Sequence, residues 1–446
     1  MKGLIETLKN IYKIEELRQR ILITLGFILI YRLGSYIVIP GIDPNQIENL
    51  SDQSKEGLMA LINIFSGGAF SNASIFALGI MPYISASIVM QLLGMAVPYF
   101  HRLQREGESG RKKINQMTRY LTVLVTFGQA PGYIANLHAQ LPESAFVMDG
   151  TFFWIMSILI LIAGTQFVMW IGERITDKGL GNGISLIIMV GIVARLPFAI
   201  IAEFGSRLEE QGGGLFAFII EIAALFIVFV LVILLIQGTR RIPVQYAKKI
   251  VGNKQYGGVR QYIPLKINAA GVMPIIFAQA LMFLPAMLVG FNTETTTGIA
   301  AAFSDQTGFW YNLVFGILVI LFTYFYTAIT INPTQMADDM KKNGGFIPGI
   351  KPGKKTVEFL DSVMSRITFP GSVFLAFVAI MPAFAMILNI NSQFASFFGG
   401  TTILILVGVV LDTLQQIESH LLMRHYDGLM KSGRIKGRNA YPAPSM

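Results

Sequence analysis

Cysteine is missing from all 446 residues. That excludes disulfides, thiolate catalysis, Cys-ligated zinc and iron–sulfur clusters. Histidine is nearly as scarce: His101, His138, His420 and His425 are far apart or unhelpfully spaced, and no metal or other cofactor is expected. Charge is the third shortage. Asp, Glu, Lys and Arg make up 14% of the chain, well below the roughly 25% of ordinary soluble domains. A water-soluble chain of this length would divide into about two or three domains with polar surfaces. Here 53% of residues are apolar and long apolar runs recur from end to end, so a soluble globule is excluded. An enzyme needs converging acids and bases or an activated nucleophile, and the sequence offers no such cluster.

What is present is a series of segments that meet the requirement for a membrane helix, about 20 mostly apolar residues at ~1.5 Å rise. Ten match: 21–39, 75–97, 118–137, 152–172, 184–202, 215–236, 269–290, 309–330, 369–388 and 401–422. Of the 35 Lys and Arg, 31 fall on alternate connections or, as Arg119, at their edge, the exceptions being Arg32, Lys55, Arg195 and Arg207. The positive-inside rule then puts both termini in the cytoplasm, and one missed or invented span would scramble the alternation. The expected fold is an all-α polytopic membrane protein of ten transmembrane helices. Five spans per half, an odd number, would insert a duplicated half upside down, giving two inverted five-helix halves. The domain limits are a cytoplasmic amphipathic segment 1–20, an N-terminal half 21–202, a C-terminal half 215–422 and a cytoplasmic tail 423–446. No small-x-small site follows the first apolar run, which is therefore not read as a cleavable signal.

Ion-coupled transporters place carboxylates, His or Lys near the membrane midplane, but here the span middles are almost bare. Glu173, Glu203 and Glu221 lie toward span ends and Asp412 and Glu418 in the cytoplasmic half of the last span, and all read as structural; Arg32 reads as snorkelling or pairing within the bundle. Gly179–Gly183 and Gly349–Thr356 fit neither dinucleotide nor Walker spacing and read as turns. Two features are left over. Residues 58–75 form a short apolar half-helix broken by Gly67-Gly68, too brief to span and so buried in protein or lining a cavity. The connections 237–267 and 331–367 are about 30 residues each, basic, and long enough to carry function or be disordered.

The residues themselves resemble the SecY family over nearly the whole chain. Ile64-Phe65-Ser66-Gly67-Gly68 and Ala77-Leu78-Gly79-Ile80-Met81-Pro82-Tyr83 carry the likeness first, followed by Glu106-Gly107-Glu108-Ser109-Gly110-Arg111 and Gly181-Asn182-Gly183-Ile184-Ser185. Arg240-Arg241-Ile242, Pro264-Leu265-Lys266 and the Pro348 to Thr356 stretch continue it in order. The resemblance implies an hourglass channel whose halves part to pass unfolded polypeptide across the bacterial cytoplasmic membrane or sideways into lipid. It implies a ring of apolar side chains at Ile80, Ile84, Ile184, Ile188, Ile276 and Ile405, and a plug at 58–75 including Ile64, Phe65, Ser66, Gly67, Gly68 and Ala69. It implies a lateral gate of the second, third, seventh and eighth spans, including Gln129. Arg240, Arg241, Lys248, Lys249, Lys351, Lys354 and Lys355 would form the docking surface for the ribosome and the SecA motor, with Lys351 standing where the family usually has arginine. SecE and SecG small subunits, signal peptides, nascent polypeptides and membrane lipids complete the implied partners. A ring of isoleucines would exclude water by dewetting yet deform around a passing chain, because it makes no directional bonds. Two other readings compete: a substrate-binding transporter, which predicts a buried polar site, and a scaffold that binds membrane proteins without a pore.

Overall fold

The computed structural model describes residues 14–46, 63, 66–148, 150–208, 214–246, 249–251, 254–256, 260–290 and 307–432. Each of the ten apolar segments holds a helix. In the first half these are α1 (Glu15–Gly34), α2 (Met81–Ala96), α4 (Glu108–Gln140), α5 (Thr151–Lys178) and α6 (Gly183–Leu208), with a short amphipathic α3 (Pro98–Arg105) after α2. In the second half they are α7 (Gly214–Gln237), α8 (Met273–Gly290), α9 (Phe309–Thr330), α11 (Lys354–Ile387) and α13 (Gly400–Ser432), with α10 (Pro333–Lys342) and the single turn α12 (Ser392–Ala395) between them. Among the described residues six helices are long and apolar enough to cross a membrane by length and composition, or seven if the bent α2–α3 pair is one span. For three of the remaining four the cause is local. α1 keeps Arg18, Arg20 and Arg32 within its 20 residues, and α2 is only 16 residues long. α4 is diluted by Thr, Gln, Asn and Gly.

Two expected boundaries shift. The first span was expected to reach residue 39, but α1 stops at Gly34 because the chain beyond it is used for pairing: the Ile39 amide donates to the Ala73 carbonyl and the Ile75 amide to Ile37, both at 2.9 Å. The second span was expected to begin at 75, but the chain from Ser66 to Ile80 is a succession of turns and the helix starts at Met81, with Pro82 in its first turn. The half-helix expected at 58–75 shifts for the same reason. Asn63 is helical, but the described part from Ser66 on is turns, bonded to its own backbone and to Ser35, Ile37 and Ile39; residues 58–62, with Ile64 and Phe65, lie outside the described residues.

The halves are joined along α6, which packs on α7 and α13. Val168, Ile171 and Ile175 of α5, Ile187, Ile188 and Ile192 of α6, and Ile405 and Val409 of α13 form one buried cluster across that seam. The backbones come close where glycine allows it. A Cβ on Gly164 would stand 2.1 Å from the Ile75 carbonyl oxygen, and one on Gly183 2.0 Å from that of Gly172. Gly164→Val is therefore expected to destabilise the protein by about 1–3 kcal/mol through overpacking, read as a lower thermal midpoint of the detergent-solubilised chain. The Gly179–Gly183 stretch is a turn, as its composition predicts: Asn182 Oδ1 accepts the Ile184 amide at 3.1 Å, and the Gly181 amide donates to Gln416 of α13 at 2.8 Å.

The two long basic connections are ordered together, which the all-helical reading does not anticipate. β1 (Thr239–Tyr246) pairs antiparallel with β4 (Arg260–Lys266), and the second connection adds β5 (Gly345–Phe346) to the other edge of β1. A separate two-stranded ribbon, β2 (Lys249–Val251) and β3 (Lys254–Tyr256), lies between β1 and β4 in the chain. Ile242, Val244 and Leu265 face Ala337, Met340, Ile347, Leu360 and Met364 in a small core of their own. α11 starts far ahead of the expected span at 369 so as to supply Leu360 and Met364 to it. Asn332 caps α10 by accepting the Thr334 and Gln335 amides at 3.1 and 3.3 Å, with Pro333 at the first helical position.

Candidate pore and gate

A cavity of about 440 Å³ opens between the halves. Tyr83, Ile84, Ser87 and Gln91 of α2 and Ile184, Ser185 and Ile188 of α6 line it from the first half; Ile276 of α8 and Ile405, Gly408 and Asp412 of α13 line it from the second. Five of the six isoleucines expected to form a ring thus share one cavity. The sixth, Ile80, does not line it: it caps α2 and is 1% exposed. Ile80, Ile188 and Ile405 belong to one buried apolar cluster that also contains Ala69, so the turn segment packs on the same apolar layer. Polar groups line it too: besides Tyr83, Ser87, Gln91 and Ser185, Asn182, Lys266, Asn268 and Asp412 do so. Among the described residues no group of three or more His, Asp or Glu is placed to hold a metal ion.

Ser66, Gly67, Gly68 and Ala69 are buried. They are tied to their surroundings by side chains that reach in from three helices. The Tyr31 hydroxyl donates to the Ser66 carbonyl at 3.0 Å, Arg32 Nη1 to the Gly67 carbonyl at 2.8 Å, the Tyr133 hydroxyl to the Phe70 carbonyl at 2.9 Å and Arg195 Nη2 to Ser71 Oγ at 3.0 Å. The Gly67-Gly68 break therefore does not leave this segment loosely held. Both glycines take positive φ, +63° and +95°, a conformation other residues rarely adopt; the Gly67 carbonyl accepts Arg32, and the Gly68 carbonyl accepts Ser71 Oγ of the same segment. Arg32 pairs within the bundle, as the sequence suggests.

Gln129 lies exposed on α4. The side chains that bridge the two halves on this flank are others: the Tyr326 hydroxyl of α9 donates to Gln91 Oε1 of α2 at 2.7 Å. Gln91 is a lone amide in the apolar run Ile88–Leu93, and that is the sequence signal by which it could have been found. Of the basic residues expected to dock partners, Arg240, Arg241, Lys351, Lys354 and Lys355 are exposed on or beside the sheet. Lys249 lies on β2, and Lys248 is outside the described residues. Three of the five carboxylates expected to be structural are bound as such: Glu173 takes Arg119 at 3.0 and 2.7 Å, and Glu203 and Glu221 share Arg207; Asp412 instead lines the cavity.

The SecY family model matches residues 74–414, about three quarters of the chain. A protein translocase subunit SecY of Streptomyces scabiei is 44% identical over 436 residues, covering 94% of this chain and 98% of its own. Two solved structures share the architecture. One is a SecY channel whose plug domain stabilises the closed state and maintains a membrane seal, with TM-score 0.62 and 19% identity over 90% of this chain and 92% of that one. The other is Sec61 in the canine ribosome–channel complex, with TM-score 0.57, 19% identity and the same coverage. With the family model matching about three quarters of it and relatives of this identity along almost its whole length, the chain belongs to the SecY family of protein-conducting channel subunits.

Proposed function

We propose that the cavity between the halves is the entrance of a polypeptide pore in a bacterial cytoplasmic membrane, with both termini and the β-sheet facing the cytoplasm. As a member of a channel family the chain is not an enzyme, and the energy for transport comes from partners. The observation that carries the reading is the convergence of five isoleucines from both halves on one cavity, with the buried segment 66–75 against the same apolar layer. Ile84, Ile184, Ile188 and Ile276, with Ile405, act as the constriction, and Ile80 supports it from within the core. A hydrophobic opening of this kind excludes ions by dewetting. A translocating chain displaces it without leaving hydrogen bonds unmet.

The segment around Ser66–Ala69 acts as the plug, and α2, α4, α8 and α9 form the lateral gate, with Gln91–Tyr326 rather than Gln129 as the bond that closes it. A hydrophobic signal peptide opens this gate by contacting the open state better than the closed one. SecE and SecG are the small membrane partners, and SecA and the ribosome dock on the sheet, where both basic connections meet. The experiment is reconstitution: with SecA and ATP, vesicles holding the complex should protect a secretory precursor from added protease. Saturable uptake of a small solute, with no protected precursor, would favour a transporter instead.

Reversing Arg240, Arg241 and Lys351 to Glu tests the docking surface. One exposed ion pair is worth only about 1 kcal/mol or less and is screened by salt, whereas three reversals replace attraction by repulsion at several points. Motor-driven transport should fall by at least roughly tenfold at low salt, with membrane insertion and ion tightness unchanged. Transport at the wild-type rate would reduce these residues to topology signals.

A further inference from the structure

We infer that Arg32 and Arg195 form a two-point cationic latch that holds residues 67–71 in the resting pore. The inference rests on the reading of this segment as the plug. Arg32 Nη1 donates to the Gly67 carbonyl at 2.8 Å; Arg195 Nη2 donates to Ser71 Oγ at 3.0 Å, and Ser71 Oγ passes the interaction on by donating to the Gly68 carbonyl at 3.0 Å. Two guanidiniums thus hold adjacent peptide units, one directly and one through a hydroxyl. Among the described residues neither has a carboxylate within 4.0 Å. Both side chains are half-buried, and a partly desolvated cation without a counter-ion leans on dipoles for its solvation, so these bonds are charge-assisted and costly to leave unmade.

The glycines are shaped to this contact. A Cβ on Gly67 would stand 2.7 Å from Gly191 Cα and 3.0 Å from Arg32 Nη1; one on Gly68 would stand 3.1 Å from Arg195 Nη2. The pair therefore gives the backbone room to approach α6 and the guanidiniums, which is the opposite of a hinge. A second consequence concerns the order of opening. Among the described residues every hydrogen bond that reaches residues 66–75 from another element comes from the first half: from Tyr31 and Arg32 on α1, from Ser35, Ile37 and Ile39 just after it, from Tyr133 on α4 and from Arg195 on α6. Parting the halves breaks none of these bonds. The latch makes plug release a separate step from lateral opening, and Arg32 and Arg195 are positioning residues for it.

A chain without cysteine allows a single-site test. Ala69, 0% exposed, is replaced by Cys in the assembled complex, and its reaction with a maleimide that cannot cross membranes is followed. In the resting complex Arg32→Gln and Arg195→Gln should each raise the labelling rate about tenfold or more, equivalent to the loss of ~1.4 kcal/mol. Arg32→Lys should restore most of the protection, since one donor on one carbonyl suffices there. The thermal midpoint should change little, which separates a latch from a general packing role. Ser74→Cys, also at a 0% exposed position, serves if Ala69→Cys does not assemble. Wild-type labelling rates in both Gln variants, in a complex whose introduced thiol does become reactive when precursor, motor and ATP are added, would overturn the latch and leave the plug standing. An introduced thiol that stays unreactive under transport would overturn the plug itself.

Discussion

Asn in place of Ile84, Ile188 or Ile405 is expected to make resting vesicles leak ions at roughly ten times the wild-type rate or more. Each side chain lines the cavity at the seam between the halves, and Ile188 and Ile405 are also members of the buried cluster there. An amide at such a position recruits water, because burying it without a partner costs about 1–3 kcal/mol. Dewetting, the barrier to ions, is lost once a water chain is stable. Ile80→Asn should act differently. Ile80 is fully packed and does not line the cavity, so its replacement should lower the thermal midpoint more than it raises conductance. Single-channel recording on the purified complex, with melting measured in parallel, distinguishes the two classes. Tight channels from all three lining variants in a folded protein would remove the isoleucines from the constriction.

Arg207→Met should destabilise the protein by about 3–5 kcal/mol. Glu203 is 0% exposed, and its carboxylate binds Arg207 Nε at 2.7 Å and the Asn391 amide at 2.8 Å. Glu221 of α7 binds Arg207 Nη2 at 2.5 Å, and the same nitrogen donates to the Asn389 carbonyl at 3.0 Å. One guanidinium therefore ties α6 to α7 and to the turn ahead of α12, at the end of the seam away from the sheet. Without it two carboxylates are left facing each other in a buried site. Adding Glu203→Gln and Glu221→Gln to Arg207→Met should recover a large part of the loss, since the cost is the uncompensated charge rather than the missing contact. Denaturation midpoints of the single and triple variants check this. A triple variant no more stable than the single would assign the loss to packing.

How much of this was legible in the sequence depends on the length of the signal. Apolar runs of about 20 residues and one-sided basic connections are read by counting, and each of the ten segments does hold a helix. What escaped was decided by partners distant in the chain. α1 stops at Gly34 and the chain beyond it pairs, Ile39 with Ala73 and Ile37 with Ile75; Pro40-Gly41 signals a break nearby, but not the distant partner. The basic connections fold because Val244 and Leu265 meet Met340, Ile347 and Leu360 about 75 or more residues onward, a pairing that local periodicity does not encode. The isoleucines are common in any membrane helix, and only the family register picked them out; the structure brings five to one cavity and sets Ile80 apart. Arg32 and Arg195 were visible as unusual charges within spans, but their ligands are peptide carbonyls and a serine hydroxyl, which sequence does not distinguish from any other.

The most direct measurement places a photo-reactive amino acid at Ile188 and, separately, at Phe226, which faces outward on α7 at 69% exposure. A secretory precursor is arrested part-way through the reconstituted complex by a folded C-terminal domain, and the complex is irradiated. If polypeptide passes between the halves at the isoleucine layer, position 188 should cross-link to the arrested chain in a manner that requires motor and ATP, while position 226 should cross-link only to lipid or to membrane partners. An arrested chain that reacts at 226 and not at 188 would contradict a pore at this cavity.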